Sequence, residues 1–195
     1  MPFWSTNFGQ DSTLKDPKRK HRFTVEFQGI NAAQGGALLW YAKTATKPGF
    51  SVNAAEHKYL GHTFYYPGNV TWDAVTVTLV DPVDPDVTAT FSDIVVAGGY
   101  TPPTDANSLG TISKAKAAGA LGTVLITQLD GDGNPIESWT LWNAFIMSMK
   151  QDDLDYTSDD LSTTTVELRF DWARVETLTN SSAVNGSGGN EFFRA

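Results

Sequence analysis

Several residue groups in this chain have the types that metal binding or acid–base catalysis uses, but none has the spacing. Asp130-x-Asp132-x-Asn134 opens like a calcium loop, yet Pro135 and Leu141 stand where Gly and a bidentate Glu are needed. A Gly-rich hairpin turn is the better reading. His57 and His62 lie five apart beside Glu56. On one strand that spacing sends them to opposite faces, and on a helix they diverge, so both are expected as surface residues. His21 stands alone beside the basic run Lys18-Arg19-Lys20. Asp152, Asp153, Asp155, Asp159 and Asp160 could in principle pair for glycoside chemistry or ligate calcium. No pocket-forming pattern surrounds them, so a solvated loop is expected. There is no nucleophile elbow, phosphate loop or dinucleotide fingerprint. Cysteine is absent, which removes disulfides, thiolate catalysis and zinc–thiolate sites together. The expectation is a non-enzyme with no cofactor and no metal.

The elements around these groups describe a globular β protein. With 195 residues, 41% apolar and 18% charged, the chain suits one domain, with or without arms. No apolar run is long enough for a membrane-spanning helix, and Met1-Pro2-Phe3-Trp4-Ser5 does not begin like a signal peptide. A net charge of −8 suits solubility and opposes binding to nucleic acid, which needs surplus Lys and Arg.

Residues 1–20 are polar and aperiodic but carry Phe3, Trp4 and Phe8, an arm expected to dock on the domain or on a neighbour. Strands are expected at 23–27 and at 37–46, the second ended by Lys47-Pro48-Gly49. Residues 47–68 hold Tyr59, Phe64, Tyr65 and Tyr66 around Gly61. That is a long hairpin or loop with more aromatic surface than a free loop carries. Val75, Val77 and Leu79 alternate with Thr76 and Thr78, a strand with one core face. Asp84-Pro85-Asp86 starts a short helix that ends at Gly98-Gly99. Residues 100–120 read as a surface insertion with a helical turn near 112–118.

Strands at 123–129 and 137–149 form a hairpin, and 163–176 forms another strand. In that last strand Val166, Leu168, Phe170 and Trp172 face one way, and Thr165, Glu167, Arg169 and Asp171 the other. The body is thus 21–177, and 178–195 is a flexible tail. About six strands with one short α-helix make a mainly β sandwich or barrel.

In that order, these segments resemble the tail tube protein of contractile-tailed bacteriophages over roughly residues 20–177. The resemblance rests on Phe23-Thr24-Val25-Glu26-Phe27, on the strand end running from Lys43 to Pro48-Gly49, and on Gly68-Asn69-Val70-Thr71-Trp72-Asp73 before Val75-Thr76-Val77-Thr78. It rests also on the short helix and on Thr164-Thr165-Val166-Glu167-Leu168-Arg169-Phe170-Asp171-Trp172. Residues 100–120 and the stretch after Leu178 depart from it.

The resemblance implies a virion protein that copies itself into hexameric rings, stacked as a tube inside a sheath and bounded by baseplate and terminator proteins. Assembly would take place in the host cytoplasm, and double-stranded DNA would pass through the lumen without specific binding. Within that frame Tyr59, Phe64, Tyr65 and Tyr66 are expected to stack rings, with Phe3 and Trp4 as a second stacking arm. Glu26, Glu167 and Asp171 are the candidates for lumen-facing acids. Two other readings stay open: a baseplate tube initiator or a type VI secretion or bacteriocin tube, and a monomeric carbohydrate-binding β-sandwich with a Tyr/Trp platform.

Overall fold

The computed structural model describes residues 18–30, 42–104, 110–181 and 189–193. Phe3, Trp4 and Phe8 of the expected arm lie outside the described residues, as do residues 31–41, which include the start of the expected second strand. The described elements are β1 (Phe23–Phe27), β2 (Ala42–Ala45), β3 (Phe50–Tyr59), β4 (His62–Trp72), β5 (Val75–Val80), α1 (Val87–Ala97), α2 (Lys114–Leu121), β6 (Val124–Leu129), β7 (Pro135–Trp142), β8 (Phe145–Gln151), β9 (Thr163–Arg169), β10 (Trp172–Ser181) and β11 (Gly189–Phe192). The protein is mainly β, with more and shorter strands than its pattern suggests and a second helix. No helix among the described residues is long and apolar enough to cross a membrane.

The strands form a five-stranded sheet ordered β1-β6-β7-β10-β11, a four-stranded sheet ordered β2-β5-β9-β8, and the separate hairpin β3-β4. Alternation decides what each sheet buries. Val75, Val77 and Leu79 of β5 are fully buried, as are Val166 and Leu168 of β9. They join Val25, Phe27, Val124, Ile126, Leu141 and Ala173 of the larger sheet in one core. Each such side chain contributes about 1.5–3 kcal/mol by leaving water. The outward residues of β9, Thr165, Glu167 and Arg169, are polar; Thr78 and Thr165 hydrogen-bond across the strands at 3.3 Å.

Two expected long strands are each two strands. The 137–149 run breaks at Asn143, whose φ of 53° turns the chain, so β7 belongs to the larger sheet and β8 to the smaller. The 163–176 run breaks at Phe170-Asp171, here without a positive φ, and β10 crosses to the larger sheet. Beyond that corner the alternation changes phase. Ala173 and Val175 are buried, while Trp172 stacks on Trp142 with centroids 6.1 Å apart. Strands that switch sheets at a bend are how two packed sheets share one core.

Asp86 caps α1 by accepting from the Ala89 N–H at 2.8 Å, and Phe91 carries the helix onto Phe27, edge to face at 5.4 Å. Within 100–120 the expected helical turn is a full helix, capped by Ser113 and buried at Leu121. Its end passes close to the end of β1: a Cβ on Gly122, where φ is 69°, would meet the Gly29 backbone nitrogen at 2.4 Å. Only glycine fits there. The stretch after Leu178 is not all tail, because β11 returns to pair antiparallel with β10.

Candidate functional site

The aromatic stretch between Gly49 and Asp73 folds as a hairpin that forms a two-stranded sheet of its own among the described residues. Phe50 pairs with Trp72, Val52 with Val70, His57 with Phe64 and Tyr59 with His62. The two-residue turn is Leu60-Gly61, with φ of 47° and 78°. Positive φ at both positions matches the right-handed twist of hairpin strands. Every residue of both strands is exposed except Thr63 and Trp72, which are half-buried.

Pairing sorts the side chains onto two faces. Ala55, His57, Tyr59, His62, Phe64 and Tyr66 share one, and Ala54, Glu56, Lys58, Thr63, Tyr65 and Pro67 share the other. Of the expected stacking residues, Tyr59, Phe64 and Tyr66 are therefore together and Tyr65 is opposite. The expectation that His57 and His62 diverge is corrected. The chain reverses between them, so parity along one strand does not apply, and they share a face. The His62 ring packs against Phe64 at 4.8 Å.

An isolated two-stranded hairpin is marginal in water, so its root matters. The Phe50 ring contacts Trp72 at 5.3 Å, and Phe193 packs edge-on against both, at 5.4 and 5.3 Å. Trp72 also reaches Phe170 at 5.9 Å. The Asp73 N–H donates to the Gly49 carbonyl at 2.8 Å.

A second anchor is ionic. Lys47, just before the hairpin, donates to Glu137 at 2.5 Å and to Gln128 at 2.7 Å. Lys18 also donates to Glu137, and Trp139 Nε1 does so at 2.6 Å. Gln128 in turn donates to the Arg19 carbonyl at 2.9 Å. Burial pushes the Glu137 carboxyl up, but hydrogen bonds from Lys18, Lys47 and Trp139 outweigh it and hold the group down at about 2. This clamp ties the first described residues and the hairpin root to the larger sheet. Sequence reading missed it, although a signal existed: Glu137 lies on the same parity as Trp139 and Leu141, so a carboxylate points inward.

The three candidate acids separate. Glu26 lies on the outward face of the larger sheet, opposite Leu125. Glu167 lies on the outward face of the smaller sheet, where it accepts from Ser148 at 3.1 Å. Asp171 sits at the corner and accepts from Lys114 at 2.7 Å and Asn143 at 2.9 Å, while its N–H donates to the Trp142 carbonyl. The Lys114 and Asn143 bonds hold its carboxyl below the ordinary range. One side chain thus joins both strand corners to α2.

The calcium-like turn and three of the five clustered aspartates, Asp152, Asp155 and Asp160, are satisfied internally. Asp130 accepts from the Asn134 N–H at 2.8 Å and the Asp132 N–H at 2.9 Å, closing its own turn. Asp152 accepts from Thr163 and Asp155 from Thr157, within an exposed loop. Among the described residues no group of three or more His, Asp or Glu is placed to hold a metal.

Comparison with known proteins gives one family and a set of similar folds. The chain superposes on the anti-feeding prophage tube-terminating cap with a TM-score of 0.62, at 16% identity over 89% of this chain and 99% of that one. A chain of the anti-feeding prophage baseplate gives 0.61 at 18% identity, over 85% and 99%. A chain of the sheath–tube complex of an extracellular contractile injection system, PVC, gives 0.59 at 17%, over 85% and 95%. At these identities the likeness concerns the fold. A search of curated protein sequences finds no match. The family described as T4-like virus tail tube protein gp19 matches residues 19–173, which include both helices, the whole hairpin and most of both sheets. By that match the chain belongs to the T4-like tail tube protein family.

Proposed function

We propose that this protein is the structural subunit of a tail tube, in which six copies form a ring and rings stack into a hollow tube within a contractile sheath. The observation that carries the reading is the exposed hairpin. A family of tube builders must bury surface between copies, and Tyr59, Phe64, Tyr65 and Tyr66 stand in water on a clamped root. Aromatic side chains of this kind dominate the cores of protein interfaces. Solved relatives described as a tube cap, a baseplate and a sheath–tube complex support terminator, baseplate and sheath partners.

The net charge of −8, repeated around a ring, suits a conduit that double-stranded DNA crosses without sticking. Glu26 and Glu167 lie on outward faces of two sheets packed together, so at most one of them lines the lumen; Asp171 is already neutralised by Lys114. Catalysis has no part in this reading, which is one of assembly inside a virion-like particle.

Size-exclusion chromatography followed by negative-stain imaging tests it. Wild-type protein forms rings or tubes, and a Phe64→Ser/Tyr65→Ser variant stays folded but no longer stacks. A protein that remains monomeric at high concentration refutes the proposal. Short stacks that never elongate would instead favour a baseplate initiator, a reading the baseplate likeness also supports.

A further inference from the structure

The hairpin and the loop between β8 and β9 leave opposite ends of the four-stranded sheet. The register shows it: Val75, directly after the hairpin, pairs with Leu168, whereas Val80 pairs with Thr163, directly after the loop. The two ends are about 17 Å apart along the strands at ~3.3 Å per residue.

Each end exposes apolar side chains that nothing described in the chain covers. At the hairpin tip Leu60 is 87% exposed while holding a φ of 47°, a region costly for any residue other than Gly, Asn or Asp. Asn would serve the turn better, so a bulky apolar residue there is unfavourable in the isolated subunit on two counts. In the loop Leu154 is 93% exposed, Leu161 is 71% exposed, and Tyr156 is fully in solvent. The charges are complementary. Lys58 is the cation nearest the hairpin tip, with Glu56 two residues before it on the same face, whereas 152–160 carries five aspartates and no cation. Among the described residues Asp153 and Asp159 make no side-chain hydrogen bond or ion pair.

We propose that the hairpin tip of one copy docks on the 152–161 loop of the next, joining copies head to tail along the strand direction of the smaller sheet. This rests on the tube reading and names the surface that receives the hairpin. Contact between unlike ends is heterologous, and such contacts propagate as open stacks, whereas hairpin-to-hairpin contact would close a dimer. Contact between two 152–161 loops would oppose aspartates. Burial of Leu60 and Tyr59 against Leu154 and Tyr156 holds the joint, and Lys58 facing Asp153 and Asp159 sets partner and register.

The test is a charge swap in the full chain, read by sedimentation and tube length in electron micrographs at low and high salt. Lys58→Glu alone, and Asp153→Lys with Asp159→Lys, each raise the concentration needed for stacking by about tenfold or more. The three substitutions combined bring it back toward wild type, and high salt weakens the wild-type stack. Leu60→Asn, which relaxes the turn, also shortens stacks while the thermal midpoint holds or rises. Single swaps that stack like wild type, or a combined variant that does not recover, overturn the docking. A wild type that never assembles, at any salt, overturns the tube reading and the docking with it.

Discussion

The β3-β4 hairpin and the β5-β9 pair are both antiparallel ladders with strand-favouring residues, yet they differ in what lies on their faces. In β5, Val75, Val77 and Leu79 are fully enclosed within the common core. In the hairpin, Phe64, Tyr65 and Tyr66 have backbone partners and little else, and all three are exposed. Hydrogen bonding alone shapes a ladder; apolar burial makes it stable. A hairpin that keeps its aromatic side chains in water is therefore held from its root, by the Phe50–Trp72–Phe193 contacts and the Lys47–Glu137 bond.

That contrast predicts a graded series of stability effects. Phe91→Ala, which empties a fully buried site against Phe27, costs about 3–5 kcal/mol in chemical denaturation. A loss below about 1 kcal/mol would mean that the core is not where the burial pattern puts it.

Glu137→Gln costs about 1–3 kcal/mol, since it weakens three donors that converge on one acceptor. It also alters the acid limb. The folded carboxyl titrates at about 2 against an ordinary 4.5, so its stabilisation is complete above 4.5 and is lost as pH falls from there toward 2. Stability of the Gln variant should fall less steeply across that window, measured by denaturation at several pH values. Equal slopes would remove the clamp from the account.

Asp171→Ala costs about 1 kcal/mol, because its partners Lys114 and Asn143 are exposed enough to find water. At the small end, Phe64→Ser/Tyr65→Ser changes subunit stability by no more than about 0.5 kcal/mol while abolishing stacking. If the two effects tracked each other, the hairpin would be part of the core and not an arm.

The sequence was most legible where one face of one element meets one environment. The alternation in β5 named its core side correctly, and Asp86 with Gly98 bounded α1 where cap chemistry predicts. Reading failed where the chain turns within an unbroken strand pattern. Asn143 and Asp171 interrupt apolar–polar runs without a Gly or Pro, so 137–149 and 163–176 looked continuous. The same limit governed His57 and His62, whose shared face depends on the turn between them.

Strand-forming patterns, the acidic balance, the absence of cysteine and an excess of aromatic residues between Gly49 and Asp73 are properties of local composition, and they stand in the chain itself. Which strands cross between sheets, which carboxylate is clamped and which ends of the molecule lie opposite one another depend on partners remote in sequence. Lys18 and Glu137, or Phe50 and Phe193, meet only because the two sheets close over one core. Periodicity records the environment of a residue along its own strand; it carries no information about which distant residue completes that environment.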